Sequence, residues 1–369
     1  MNKIKIMAAS FAAVLCLAGC GDSRPIKDSI AETIPTEEPT VVETTAPTEP
    51  EADSVINPLT GEDGYNEDAV GKRPIAVMVS NIKAALPQYG IDEADIIYEI
   101  PVEGGITRLM AVYADYTNVP DICSVRSCRY YYPRLAYGMD AIYCHWGSDK
   151  TIAQDTLDYL GIDRFDGNES SLGYGTVFER DSVRAQSYAT EHTGALRGSQ
   201  LPEQIEEMGY RTDINDENAD GAFMFNPPGE PVEPVGDDCP EFSLNFSNSY
   251  YSTFEYNENE QVYYKYHSGN EHKDGVTGNQ LSFTNIFVLE TYVGVRADGK
   301  LMDIGLDSGE GYYISMGKAQ EITWEKASDS DPIKIYDEDT GEEITVNAGK
   351  SYIGMIDDDN VELYNDDEE

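Results

Sequence analysis

Arg73-Pro74-Ile75-Ala76-Val77-Met78-Val79, Glu93-Ala94-Asp95-Ile96-Ile97-Tyr98-Glu99 and Ile106-Thr107-Arg108-Leu109-Met110-Ala111-Val112-Tyr113-Ala114 follow one another closely in the first third of the chain. Pro74–Val79 and Asp95–Ile100 are short apolar runs of the length that buried strands take, and Ile106–Ala114 alternates apolar with mixed residues. Helical patterns come after them at Arg129–Tyr137, Asp149–Leu160, Ser182–Thr190 and Ser199–Met208, with one more strand at Asp140–Trp146. Strands interleaved with helices predict a mixed α/β layered domain over about 57–225.

The character changes after Phe225-Asn226-Pro227-Pro228-Gly229. Tyr, Thr, Val and Ile then dominate, and short runs with turn residues between them read as strands. The runs are Tyr250–Tyr256, Gln261–His267, Phe283–Arg296, Tyr312–Ser315, Gln320–Glu325, Ile333–Tyr336, Glu343–Val346 and Ser351–Ile356, with a hairpin turn at Asp339-Thr340-Gly341. The expected fold class is therefore α+β. An N-terminal mixed α/β domain (57–225) is followed by a mainly antiparallel β domain (235–358) and an acidic tail (359–369).

The first residues have a different logic. Met1-Asn2-Lys3-Ile4-Lys5 is positive, and Ile6 to Ala18 is apolar except for Ser10. That is the n-region and h-region of an export signal, too short for a bilayer core of ~30 Å. Leu17-Ala18-Gly19-Cys20 resembles a bacterial lipobox. The expectation is a lipoprotein signal peptide over 1–19, with Cys20 carrying a diacylglyceryl group whose two chains give stable anchoring. Residues 20–56 are rich in Pro, Thr and Glu and poor in apolar residues, which predicts a disordered tether. The chain should stand on the extracytoplasmic face of the cell membrane.

Lys and Arg number 25 against 69 Asp and Glu, a net charge of −44. Such a surface repels nucleic acid and bare anionic lipid, so the expected membrane contact is the lipid anchor alone. No cofactor or metal motif is evident. Cys123, Cys128, Cys144 and Cys239 match no zinc spacing. Export would permit a disulfide between Cys123 and Cys128, separate buried thiols are the alternative, and the spacing does not decide between them.

In so acidic a chain the arginines stand out. Arg108, Arg126, Arg129, Arg134, Arg180 and Arg184 all fall in the first domain, several at predicted strand ends beside Gly or Ser. Guanidinium forks match carboxylate and phosphate oxygens, so a group of them would hold an anion. The plainer alternative, for any one of them, is pairing with the surplus carboxylates. His145 and Glu103 are the candidate catalytic groups, and His192 joins Arg108, Arg126, Arg129, Arg180 and Arg184 as a candidate ligand contact. His267 and His272 could meet a metal, and Asp357-Asp358-Asp359-Asn360 or Asp213 with Asn215 could hold calcium, but neither spacing is diagnostic. Trp324 and the tyrosines of the second domain suit packing better than sugar stacking.

Several of these stretches resemble the YerB-like family of bacterial lipoproteins, a domain of unknown function. They are Asn57-Pro58-Leu59-Thr60-Gly61, Arg73 to Val79, Glu93 to Glu99, Glu103-Gly104-Gly105-Ile106-Thr107-Arg108 and Val125-Arg126-Ser127-Cys128-Arg129, with Cys128 where alanine is typical. Asn285, Ile322-Thr323-Trp324 and Gly349-Lys350-Ser351 extend the likeness over about 57–357. The resemblance implies a lipoprotein with an N-terminal α/β-type domain and a smaller C-terminal one, and implies no activity. Arg184-Ala185-Gln186-Ser187-Tyr188 departs from the Arg-x-Ala-Pro-His-Asn-like segment of the family, which shifts attention to His192. The expected function is a non-enzymatic lipoprotein that binds an anionic envelope ligand: a wall precursor, a glycopeptide or a wall polyanion. A hydrolase or transferase acting on envelope polymers, and a scaffold docking proteins through the β domain, are the alternatives.

Overall fold

The computed structural model describes residues 55–219, 221–357 and 360–364. The expected signal peptide, Cys20, nearly all of the tether and the end of the acidic tail lie outside the described residues.

The fold is α+β. Its first half contains strands β1 (Ile75–Ser80), β2 (Ile96–Val102) and β3 (Ile106–Tyr113), helix α1 (Tyr131–Gly138), β4 (Ile142–His145), α2 (Ile152–Leu160), β5 (Arg164–Asp166) and α3 (Leu201–Met208). Its second half is β-rich: β6 (Glu241–Ser247), β7 (Tyr250–Asn257), β8 (Val262–His267), β9 (Asn285–Glu290), β10 (Val293–Val295), β11 (Met302–Ile304), β12 (Ser308–Ser315), β13 (Lys318–Glu325) and β14 (Ser351–Ile356). α2 follows Asp149, whose carboxylate accepts the Thr151 and Ala153 N–H groups, and ends at Gly161 in the left-handed conformation (φ 59°).

One large sheet crosses both halves in the order β13-β12-β9-β14-β2-β3-β1-β4-β5. β14 lies parallel to β2 on one side and to β9 on the other, with Ile96 and Asn285 both opposite Ser351. Successive residues of β1 serve different cores. Ala76 and Met78 face α1 and α2, while Ile75, Val77 and Val79 face α3 and the second sheet, in which β8, β7 and β6 are neighbours. Both faces being covered explains why these strands read as continuous apolar runs.

Two expectations need correction. Ser182–Thr190 is not an α-helix but two short 3₁₀ turns, Arg184–Gln186 and Thr190–His192. Arg184 is drawn inward onto the carbonyls of Ala85, Pro87 and His192, between the rings of Tyr89 and Tyr188. Phe283–Arg296 is not one strand either. β9 ends at Glu290, Thr291 bonds the carbonyl of Gly305, and the chain leaves the large sheet for a separate hairpin of β10 and β11.

Candidate functional site

The carboxylate-rich composition makes pairing the default state of an arginine, and most arginines obey it. Arg73, Arg129, Arg134, Arg164, Arg197, Arg211 and Arg296 each lie within ion-pair distance of an Asp or Glu. Arg108, Arg126, Arg180 and Arg184 have no carboxylate partner among the described residues. All four were candidates on sequence grounds. Arg134, also in the original group, is bound to Asp329 and stands apart from them.

Three of the four converge on one turn. Arg180 donates to the Thr190 carbonyl (2.7 Å), Arg126 to the Glu191 carbonyl (2.8 Å) and Arg184, through Nε, to the His192 carbonyl (3.1 Å). Arg184 is buried, and its other N–H groups go to Pro87 and Ala85, so it is a structural staple. Arg126 and Arg180 each give only one nitrogen to the turn. Arg180 also lies over Trp146, with its guanidinium carbon 4.1 Å from the ring centre, a stacking for which the delocalised guanidinium is suited.

Arg108 and Arg129 extend the cluster towards the start of α1. Arg108 is only 8% exposed, and its one protein hydrogen bond goes to the Ser127 carbonyl. Its pKa is pushed down to about 10, by burial first and then by the positive charges of Arg129 and Arg126. Arg126 is lowered too, by burial first; the nearby Glu191 carboxylate opposes the shift, and Arg129 and Arg180 add to it. Arg129 is balanced: its fork meets Glu103 (2.6–2.9 Å) and its remaining N–H reaches the Cys128 carbonyl. Burial would raise the Glu103 pKa, but Arg129 outweighs it and holds the carboxyl below its usual range.

The histidine candidates differ. His192 is 5% exposed, its Nδ1 is buried without a partner, and burial followed by Arg126 lowers its pKa. It therefore belongs to the cluster as a neutral ring. His145 is fully enclosed. Its Nδ1 lies 2.9 Å from the Gly147 carbonyl and must donate, which leaves a lone pair on Nε2 with no protein partner. Burial lowers its pKa despite Asp166 at 3.9 Å.

A second polar assembly went unnoticed in the sequence reading. Glu99 and Lys265, both buried, pair at 3.1 Å across the two halves. Glu99 also accepts from Asn81, Thr107, Ser252 and Tyr352. Lys265 donates to Ser252 (2.8 Å) and to Nδ1 of His272, whose Nε2–H then donates to Gln88. His267 donates to the Asn81 carbonyl. Ser252 and Lys265 have the spacing of a nucleophile and base, and burial lowers the Lys265 pKa against the pull of Glu99, but the Ser252 oxygen already accepts from Lys265 and its hydroxyl donates to Glu99. Both imidazoles are likewise committed to protein partners. The clue lay in β8, where Tyr263, Lys265 and His267 occupy the alternate, buried positions.

The four cysteines are free and buried, and burial pushes the thiols of Cys123, Cys128 and Cys239 up to about 12. No disulfide links Cys123 to Cys128. Trp324 is core, donating to the Glu290 carbonyl. A cleft of about 670 Å³ elsewhere is lined by Glu62, Asp63, Glu93, Asp95 and Asp115, a set that repels anions.

Family models match both halves of the chain. Residues 59–211 fit the N-terminal domain, and residues 242–353 the C-terminal domain, of a protein of unknown function, DUF3048. The chain belongs to the DUF3048 family. A relative from Bacillus subtilis (strain 168), named "Putative lipoprotein YerB", is 27% identical over 309 residues, which is 82% of this chain and 86% of the relative. The crystal structure of YerB protein from Bacillus subtilis matches with a TM-score of 0.72 at 24% identity, covering 84% of this chain and all of that one. The DUF3048 fold is thus shared, and the similarity is to a lipoprotein class without a stated activity. No helix among the described residues is long and apolar enough to cross a membrane.

Proposed function

We propose that this DUF3048 member is anchored through a lipid on Cys20 and holds an anionic cell-envelope ligand on Arg108, Arg126 and Arg180, with Arg129 and His192 beside them. The observation that carries the reading is the grouping of Arg108, Arg126 and Arg180, none with a carboxylate at ion-pair distance among the described residues, in a chain of net charge −44. Mutual repulsion lowers the stability of such a group, and an incoming oxyanion relieves it. Arg184 is excluded from direct contact by its burial. The test is thermal unfolding of the chain with muropeptides and phosphate-rich wall polymers. A ligand at a hundred times its Kd stabilises by about 2.7 kcal/mol. A raised midpoint that Arg126→Ala abolishes supports the site, and no shift with any anion refutes it.

A second reading, turnover of an envelope polymer, is favoured by the unpartnered Nε2 lone pair of His145. Its ring is enclosed, so the Gly147-Ser148 loop would have to open for it to serve as a base. His145→Gln should then abolish hydrolysis of a wall substrate without lowering the unfolding midpoint; product release unchanged in this variant excludes the role.

A further inference from the structure

This inference rests on the anion-site reading. Arg129 is the member of the cluster that already holds a carboxylate, and the carboxylate belongs to a turn. Glu103 sits at the tip between β2 and β3, followed by Gly104 and Gly105, both at positive φ (85° and 67°). Neither side chain is enclosed: Arg129 is 16% and Glu103 24% exposed. The contact is bidentate, with Nε and Nη2 both donating to the Glu103 carboxylate, an arrangement a free carboxylate can take over.

The same point ties down a piece of the second half. The Met302 N–H donates to Glu103 Oε1 at 3.4 Å. Next to Arg129, the Tyr130 hydroxyl donates to Asp303 (2.8 Å) and accepts the Ile304 N–H (3.1 Å). The β10–β11 hairpin is therefore fastened at the edge of the arginine cluster.

We propose that Glu103 is an internal stand-in for the ligand, and that the natural ligand carries a carboxylate that displaces it from Arg129. The exchange keeps Arg129 balanced and brings a new anion beside Arg108 and Arg126, which Glu103 leaves uncompensated. It also removes the Met302 tie, loosening the hairpin.

The test uses the full chain in detergent, with acetyl-dialanine, its carboxamide and inorganic phosphate as probes in titration calorimetry. Acetyl-dialanine should bind, the carboxamide should not, and Glu103→Gln should tighten the carboxylate about fivefold, the size of an exposed ion pair that no longer competes. In the unsubstituted chain, acetyl-dialanine should speed hydrogen exchange in residues 293–304, a readout that does not depend on the variant folding. Unchanged affinity in Glu103→Gln, no acceleration of exchange, tighter phosphate than carboxylate, or no binding of acetyl-dialanine overturns the proposal. A wall polyanion that still stabilises the chain through Arg126 would leave the broader anion site standing in each of these cases.

Discussion

The two charged assemblies of this molecule are built on opposite rules. Around Glu99 and Lys265 every donor finds an acceptor, both charges are cancelled, and nothing reaches solvent. Around Arg108, Arg126 and Arg180 cations gather with no carboxylate at ion-pair distance among the described residues and keep N–H groups in reserve. A closed network fixes architecture, while an open one has binding capacity left over. Burial and charge alone would favour the Glu99 network, which is the more enclosed of the two. What separates them is the count of unsatisfied groups.

The sharpest way to break the comparison is Lys265→Met, which strands the Glu99 carboxylate in the core. We expect a loss of about 3–5 kcal/mol in denaturant unfolding, much of it recovered in the double variant with Glu99→Gln. A loss below about 1 kcal/mol would mean the network is not the latch between the halves.

Proton uptake should attack the same assembly. His267 and His272 both have folded pKa values lowered, mainly by burial and then by Lys265. The unfolded chain therefore binds more protons below about pH 6.5, so their contribution is complete above that pH and declines as pH falls. Asp95, raised to about 6 by burial, works in the opposite sense, losing its contribution as pH rises from about 4 to 6. Comparing the stability–pH curve of the chain with that of His272→Gln isolates the histidine. Superimposable curves between pH 5 and 7 would contradict its neutral, bonded state.

Arg108→Met should be nearly silent by contrast. Removing a buried cation with a single protein hydrogen bond should move stability by no more than about 1 kcal/mol in either direction, while anion-dependent stabilisation is lost. A loss as large as that of Lys265→Met would make Arg108 architectural. Smaller still is the effect expected of reductant. With Cys123, Cys128, Cys144 and Cys239 all free and buried, dithiothreitol should leave the unfolding midpoint unchanged, and a thiol reagent should react only after unfolding.

Much of the fold was legible because local signals agreed with the tertiary outcome. Ile75–Ser80, Ile96–Val102 and Ile106–Tyr113 are apolar on both faces since both faces are covered, and Asp149 and Gly161 mark the limits of α2. The arginines were legible as exceptions to an acidic composition. Arg184 was not separable from Arg126 and Arg180, because its commitment to Ala85 and Pro87 depends on a contact about a hundred residues away in the chain. The Glu99 network was hidden for the same reason, since its members come from strands and loops scattered from Asn81 to Tyr352. Lys265 at an inward position of β8 was its one local trace.

The position of β14 also sets a timetable. Ser351–Ile356, almost the last strand made, supplies the partner for Ile96–Glu99 along one edge of β2. Until that segment has been made, β2 offers unpaired N–H and C=O groups to any neighbouring chain. A polypeptide of this design cannot complete its fold piecemeal from the N-terminus, and a truncation short of Ser351 would leave the large sheet open between β2 and β9.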